Sequence, residues 1–159
     1  DAWLGGFGDR ERTLTIMKDP RSGPIAVVTL VLVLLLKFAA LVALIEQQHA
    51  LALIIVPLIS RSALLGLFLT TSYVRPGGLG QALADHLPRL AGKQVLAASS
   101  LLCVLIAGLS AVWALLLAAL IFVWLRQVML RRLGGTTGDT AGALLELLEV
   151  AILAGLALI

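Results

Sequence analysis

Polar and apolar residues fall along this chain in blocks, and the apolar blocks are far longer than one face of a soluble helix requires. Residues 1–23 are polar and turn-rich. Gly5, Gly6 and Gly8 precede Asp9-Arg10-Glu11-Arg12, and Met17-Lys18-Asp19-Pro20-Arg21-Ser22-Gly23 follows. Within this segment, 9–18 is expected to form a short amphipathic helix with Leu14 and Met17 on its apolar side. Asp19-Pro20 should end it, because the residue before proline avoids the α region. Pro24 then opens an apolar block, in a first helical turn where a missing N–H costs nothing. That block runs to Ile45, and its one charged residue is Lys37. The turn Glu46-Gln47-Gln48-His49 leads into a second block over 50–72, containing Pro57, Ser60 and Arg61.

Residues 73–93 return to loop character, with Arg75-Pro76-Gly77-Gly78-Leu79-Gly80 and then Asp85, His86, Pro88, Arg89 and Lys93. From Gln94 to Trp124 no charged residue occurs over 31 positions. As one helix this run would be ~46 Å long, against a hydrocarbon core of ~30 Å. It is therefore expected to fold back near Gly108-Leu109-Ser110, with Trp113 and Trp124 towards opposite interfaces. The expected spans are 24–45, 50–72, 93–108, 111–130 and 141–159.

Composition agrees with this pattern. The chain has 159 residues, 60% hydrophobic and 13% charged, whereas soluble domains are about 45–50% apolar and about 25% charged. We expect one all-α integral-membrane domain over 1–159, a polytopic helix bundle of about five transmembrane helices. The chain opens on Asp1-Ala2-Trp3 without a Met, and we expect it to be a fragment of a longer one. The single Cys103 lies in an apolar run and suits a structural thiol. Of the 12 Lys and Arg residues, all but Lys37 and Arg61 fall in 1–23, 73–93 or 126–140. Five spans with these three segments cytoplasmic satisfy the positive-inside rule. Three flexible, glycine-bearing loops would then share one membrane face and suit a polyanionic substrate. Alternatively, the basic residues of 1–23 only set topology.

The most chemically loaded stretch is Gly134-Gly135-Thr136-Thr137-Gly138-Asp139-Thr140 with the helix after it. Asp139 or Thr140 can cap that helix. Asp139, Gly142, Ala143, Glu146 and Glu149 fall along one stripe at helical spacing. Carboxylates inside a span are costly, so they serve either as helix-packing glue or as an acidic wall beside a phosphate or metal site. Arg61 lies too deep to reach water and is expected to face the bundle interior, with Glu146 or Glu149 as partner. Lys37 is expected to snorkel to the far interface, and His49 to be an interfacial loop residue. In Arg75-Pro76-Gly77-Gly78 a cation stands beside backbone free to present N–H groups to a phosphate.

These strings resemble one family. Asp1 followed by a glycine-bearing turn, Arg10-Glu11-Arg12, Ile16-Met17-Lys18-Asp19-x-Arg21-x-Gly23 and Arg75-Pro76-Gly77-Gly78-Leu79-Gly80 all match it. So does Gly134-Gly135-x-Thr137-Gly138-Asp139-Thr140-x-Gly142-Ala143-x-x-Glu146-x-x-Glu149. Together they are similar to the cobalamin synthases, also called adenosylcobinamide-GDP ribazoletransferases, and the matches spread over the whole chain. The resemblance implies a Mg²⁺-dependent transfer in the bacterial inner membrane, with the active-site loops cytoplasmic. A ribose hydroxyl of α-ribazole, or of its 5′-phosphate, attacks the phosphate on adenosylcobinamide-GDP and releases GMP.

By that resemblance Asp139, Arg61 and Glu146 are the catalytic candidates, and Asp1 and Asp139 the metal ligands. Lys18, Asp19, Arg21, Ser22, Arg75, Gly77, Gly78, Gly135, Thr137 and Gly138 would bind substrate phosphate. Asp139 either ligates metal or orients the attacking hydroxyl. The implied partners are these substrates and membrane lipid, with homo-oligomers or other cobalamin-assembly enzymes in addition; nucleic acid is not among them. The family's acidic string His-x-Asp-Gly-Leu-x-Asp-x-x-Asp survives here only as Asp1, which implies that this stretch alone is inactive. A CDP-alcohol phosphotransferase also places an acidic row at the membrane face but bundles its Asp and Arg in one motif; upstream residues would discriminate, and the Gly134-Gly135-x-Thr137-Gly138-Asp139 helix argues against that reading. A transporter or structural subunit would leave the three one-sided loops unexplained.

Overall fold

A computed structural model describes residues 1–78 and 80–159; Leu79 of the Arg-Pro-Gly-Gly-Leu-Gly string lies outside the described residues. Among these residues the fold is helical throughout, apart from one parallel bridge between Tyr73 and Thr136. Two short helices, α1 (Ala2–Gly5) and α2 (Arg10–Ile16), precede α3 (Pro24–Glu46) and α4 (Ala52–Thr70). A third short helix, α5 (Gln81–His86), leads into α6 (Arg89–Leu133) and α7 (Gly138–Ala157). Four of these, α3, α4, α6 and α7, are long and apolar enough to cross a membrane.

The 45 residues of α6 are not one straight rod. Gly108 has φ 54° and ψ −129°, and the helix breaks there into two arms, 89–107 and 109–133. That combination is closed to residues with a Cβ, so the reversal needs this glycine. Both arms return to α4: Gly66 lies against Leu96 of the first and Phe122 of the second. Ser62 of α4 and Ser99 of the first arm share a hydrogen bond of 2.8 Å. With α6 divided in this way, the bundle contains five apolar segments.

The core lies where α4, the α6 hairpin and α7 meet, around Ile55, Val56, Ile59, Leu67, Leu144, Leu148 and Ile152. Helix α3 packs mainly on α7 and buries only Ala40 and Leu44. Most of its remaining apolar surface is exposed, as expected of a span whose solvent is lipid. Helix α2 is shorter than the expected 9–18. Asp9 is its N-cap, accepting from Arg12 N at 2.6 Å, and the one buried residue is Thr13 rather than Leu14 or Met17.

Hydrogen bonds at the two ends of the bundle show which loops gather. At one end, Gln47 Nε2 donates to the carbonyl of Ala157 at 3.1 Å. At the other, Arg10 Nε donates to the carbonyl of Leu133 at 2.8 Å, and Arg132 Nη2 to that of Trp3 at 2.7 Å. Val74 N donates to Thr136 O and Thr136 N to Ser72 O, each at 2.9 Å. The segments 1–17, 72–75 and 132–137 are thereby joined at one end.

Candidate functional site

At that end the turn after α6 is built for close approach. Gly134 closes α6 in the left-handed conformation, at φ 74°. At Gly135 a Cβ would collide with the carbonyl oxygen of Ser72 and with Val74, so only glycine lets the two loops pair. Thr136 and Thr137 are buried just beyond. The start of α7 is a reciprocal cap: Thr140 N donates to Thr137 Oγ1 at 3.2 Å, and Thr137 N to Thr140 Oγ1 at 2.9 Å. The N-cap is therefore Thr137, supported by Thr140 as its box partner. Asp139, expected as a cap, is free of that duty.

Asp139 instead stands exposed in the first turn of α7, where a negative charge suits the helix dipole. Its Oδ2 accepts from Arg75 Nη1 at 2.7 Å. Tyr73 supports both loops. Its hydroxyl accepts from Gly138 N at 3.3 Å, and its ring lies against Gly78 and Gly80. No pattern in the sequence marked Tyr73, although it is the only tyrosine and stands two positions before Arg75.

Three of the backbone N–H groups expected to face a phosphate are already engaged. Gly77 N donates to Gln81 Oε1 at 2.7 Å, Gly78 N to the carbonyl of Arg75 at 3.1 Å, and Gly138 N to Tyr73. Anion binding therefore falls to side chains and the α7 N-terminus. Of those side chains, Arg75 is at the site. Lys18 and Ser22 are exposed on the segment before α3. Arg21 pairs with Asp19, Nη2 to Oδ2 at 2.9 Å. Through that guanidinium contact and the Arg21 backbone N–H, the Asp19 carboxyl is held below its ordinary range. The segment meets α7 through Met17, whose sulfur lies 3.9 Å from Thr137 Oγ1.

Asp1, expected as a metal ligand, has other work. Its Oδ2 accepts from Gly23 N at 2.7 Å and its Oδ1 from Ala26 N at 3.2 Å. It caps α3 from a distance, where Gly23 has no side chain to do so. Among the described residues no three His, Cys, Asp or Glu side chains group to hold a metal. Both Asp1 oxygens accept from α3, whereas Asp139 keeps Oδ1 without a partner among the described residues; an exposed carboxylate of that kind suits Mg²⁺, which takes one or two carboxylates and fills its shell with phosphate oxygens and water.

Arg61 and Glu146, the other catalytic candidates, are not at this end. Glu146 lies seven residues along α7 from Asp139, roughly 10 Å by helical rise. There Lys37 Nζ contacts Glu146 Oε2 at 2.6 Å and Glu149 Oε2 at 2.7 Å, while Arg61 Nη1 contacts Glu149 Oε1 at 2.7 Å. Lys37 therefore does not snorkel; it turns onto α7, where two carboxylates solvate its ammonium better than a distant interface would. Arg61 takes Glu149 as partner, yet its side chain is 60% exposed, at the rim of the bundle rather than inside it.

Comparison with known proteins supplies the family. The model of the family described as "Cobalamin-5-phosphate synthase" matches residues 1–157. A relative from Pseudomonas fluorescens, named adenosylcobinamide-GDP ribazoletransferase, is 81% identical over 99% of this chain and 65% of its own length. Relatives of the same name from Pseudomonas savastanoi pv. phaseolicola and Pseudomonas putida are 72% and 69% identical, over 65% and 64% of their lengths. The chain thus spans just under two thirds of the curated relatives it matches. No solved structure matches it.

Proposed function

The chain belongs to the cobalamin-5-phosphate synthase family, and on that premise we propose that the protein it forms part of is an adenosylcobinamide-GDP ribazoletransferase. The reaction is a phosphoryl transfer. A ribose hydroxyl oxygen of α-ribazole, or of its 5′-phosphate, attacks the phosphorus linked to adenosylcobinamide. The bond from that phosphorus to the GMP oxygen breaks, GMP leaves, and the hydroxyl proton passes to base or water. Such a transfer asks the protein for position and for neutralised phosphate charge more than for covalent chemistry.

The observation that best supports this reading is the Arg75–Asp139 pair, at the first turn of α7 where three loops converge. Arg75 would release one edge of its planar fork to phosphate oxygens. Asp139, 54% exposed, would orient the incoming hydroxyl. Mg²⁺, when bound at Asp139, would neutralise charge on the phosphates. Lys18 and Arg21, on the segment that Met17 anchors to α7, would meet the diphosphate from the other side. We place the protein in the bacterial inner membrane, with these loops cytoplasmic.

The test is direct. Full-length protein in proteoliposomes, given adenosylcobinamide-GDP, α-ribazole and Mg²⁺, should release one GMP per corrinoid converted. No GMP release above protein-free vesicles would overturn the assignment.

A further inference from the structure

At mid-depth of the bundle, three helices bring together two cations and two carboxylates that transfer at the loop end does not use. Lys37 of α3, Arg61 of α4, and Glu146 and Glu149 of α7 form a chain of three ion pairs of 2.6 to 2.7 Å. The group is electrically balanced. Its inner half is closed, with Lys37 and Glu149 only 15% and 14% exposed. Its outer half is open: Arg61 is 60% and Glu146 49% exposed. Among the described residues Arg61 Nε and Nη2 and Glu146 Oε1 have no partner.

Arg61 stands midway along α4 (Ala52–Thr70), and Glu146 near the middle of α7 (Gly138–Ala157). Open donors and an open acceptor at that depth are costly against hydrocarbon, and such groups face a wet cavity or a polar occupant. The face between Asp139 and Glu146 leaves room for one. Gly142 and Ala143 are exposed there, and a Cβ added at Gly142 would meet nothing within 4 Å. A small-residue path therefore connects the Arg75–Asp139 pair to the open half of the quartet.

We propose that Arg61 and Glu146 form a membrane-depth subsite for uncharged carboxamide groups on the body of the donor substrate. The amide oxygen would accept from Arg61 Nε or Nη2, and the amide NH₂ would donate to Glu146 Oε1. A balanced quartet has no net pull on a phosphate. A carboxamide is the neutral group that carries an acceptor and a donor side by side. The inference rests on the transfer reading above, because a cobinamide carries peripheral carboxamides. With its phosphate at Arg75 and Asp139, the macrocycle would lie roughly 10 Å along α7.

The experiment uses full-length protein in proteoliposomes, carrying Arg61→Met or Glu146→Ala. GMP release is measured against each substrate, and corrinoid binding by equilibrium dialysis without acceptor. Each variant should raise KM and Kd for adenosylcobinamide-GDP about tenfold, the worth of one hydrogen bond to a charged group. KM for α-ribazole should not move, which confines the loss to the corrinoid side. Glu146→Gln, which keeps an acceptor oxygen, should restore most of the binding.

A substrate-side arm needs no variant. Adenosylcobinamide-GDP with its carboxamides converted to N,N-dimethylamides stays neutral and keeps the oxygen for Arg61 but has no N–H for Glu146 Oε1, and should bind the wild-type protein about tenfold more weakly. Unchanged corrinoid affinity in the variants, or equal affinity for the dimethylamide substrate, overturns the subsite and leaves the quartet as a helix clamp or a surface covered by protein. Absence of GMP release from the wild type would instead sink the transfer reading itself, and the subsite with it.

Discussion

Substituting Asp139→Asn in the full-length protein separates chemistry from architecture, because the structure limits what Asp139 can contribute to stability. It does not cap α7; Thr137 and Thr140 do. Its pair with Arg75 is partly exposed, at 54% and 27%, and pairs of that kind are worth about 0.2–1 kcal/mol. Its place in the first turn of α7 adds about 0.3–1 kcal/mol from the helix dipole. Asparagine preserves shape and volume, so the total loss should be no more than about 2 kcal/mol. Detergent unfolding should show a modest shift and a single cooperative transition. If Asp139 orients the attacking hydroxyl, turnover should fall by roughly 10²–10⁴, the range for a positioned proton acceptor. GMP release at saturating substrates measures that fall. Turnover within about threefold of wild type would remove Asp139 from the chemistry. A collapse of the unfolding transition would show that the stability reasoning had missed a structural role.

Three further outcomes follow from the same geometry. Gly108→Ala should destabilise the bundle by about 1–3 kcal/mol through backbone strain alone, since a Cβ there meets nothing within 4 Å; an unchanged unfolding temperature would refute the glycine-dependent hairpin. Lys37→Met should cost about 3–5 kcal/mol, because it leaves Glu146 without a partner and Glu149 with Arg61 alone. Adding Glu146→Leu should recover part of that loss, as Arg61 still holds Glu149, and a double variant worse than the single would contradict the pairing. For orientation, an impermeant thiol reagent applied to intact cells should label His49→Cys and spare Asp85→Cys; the reverse pattern would invert the proposed topology.

Much of the fold was legible because membrane spans announce themselves in one dimension. The 31 uncharged residues from Gln94 to Trp124 were too long for one crossing, and the reversal falls at Gly108 because glycine alone adopts that backbone. The same length argument could not fix the ends of α4, which begins at Ala52 and stops at Thr70, inside the expected 50–72. Helix boundaries depend on caps and on neighbours, and hydropathy reports neither.

The site was less legible, for a reason that Lys37 makes concrete. Sequence gives the depth of a charge in a span but not the direction in which it points. The choice between snorkelling and pairing depended on residues 109 and 112 positions away in the chain. The glycine loop shows the same limit. Gly77 and Gly78 did mark a tight turn, but whether its N–H groups were free depended on Gln81 and on the carbonyl of Arg75. Glu149 reverses the case. On the stripe it looked equivalent to Glu146, yet it alone meets both cations, with Oε2 on Lys37 and Oε1 on Arg61. The two carboxylates therefore have unequal roles, with Glu149 holding three helices together and Glu146 left with an oxygen to offer.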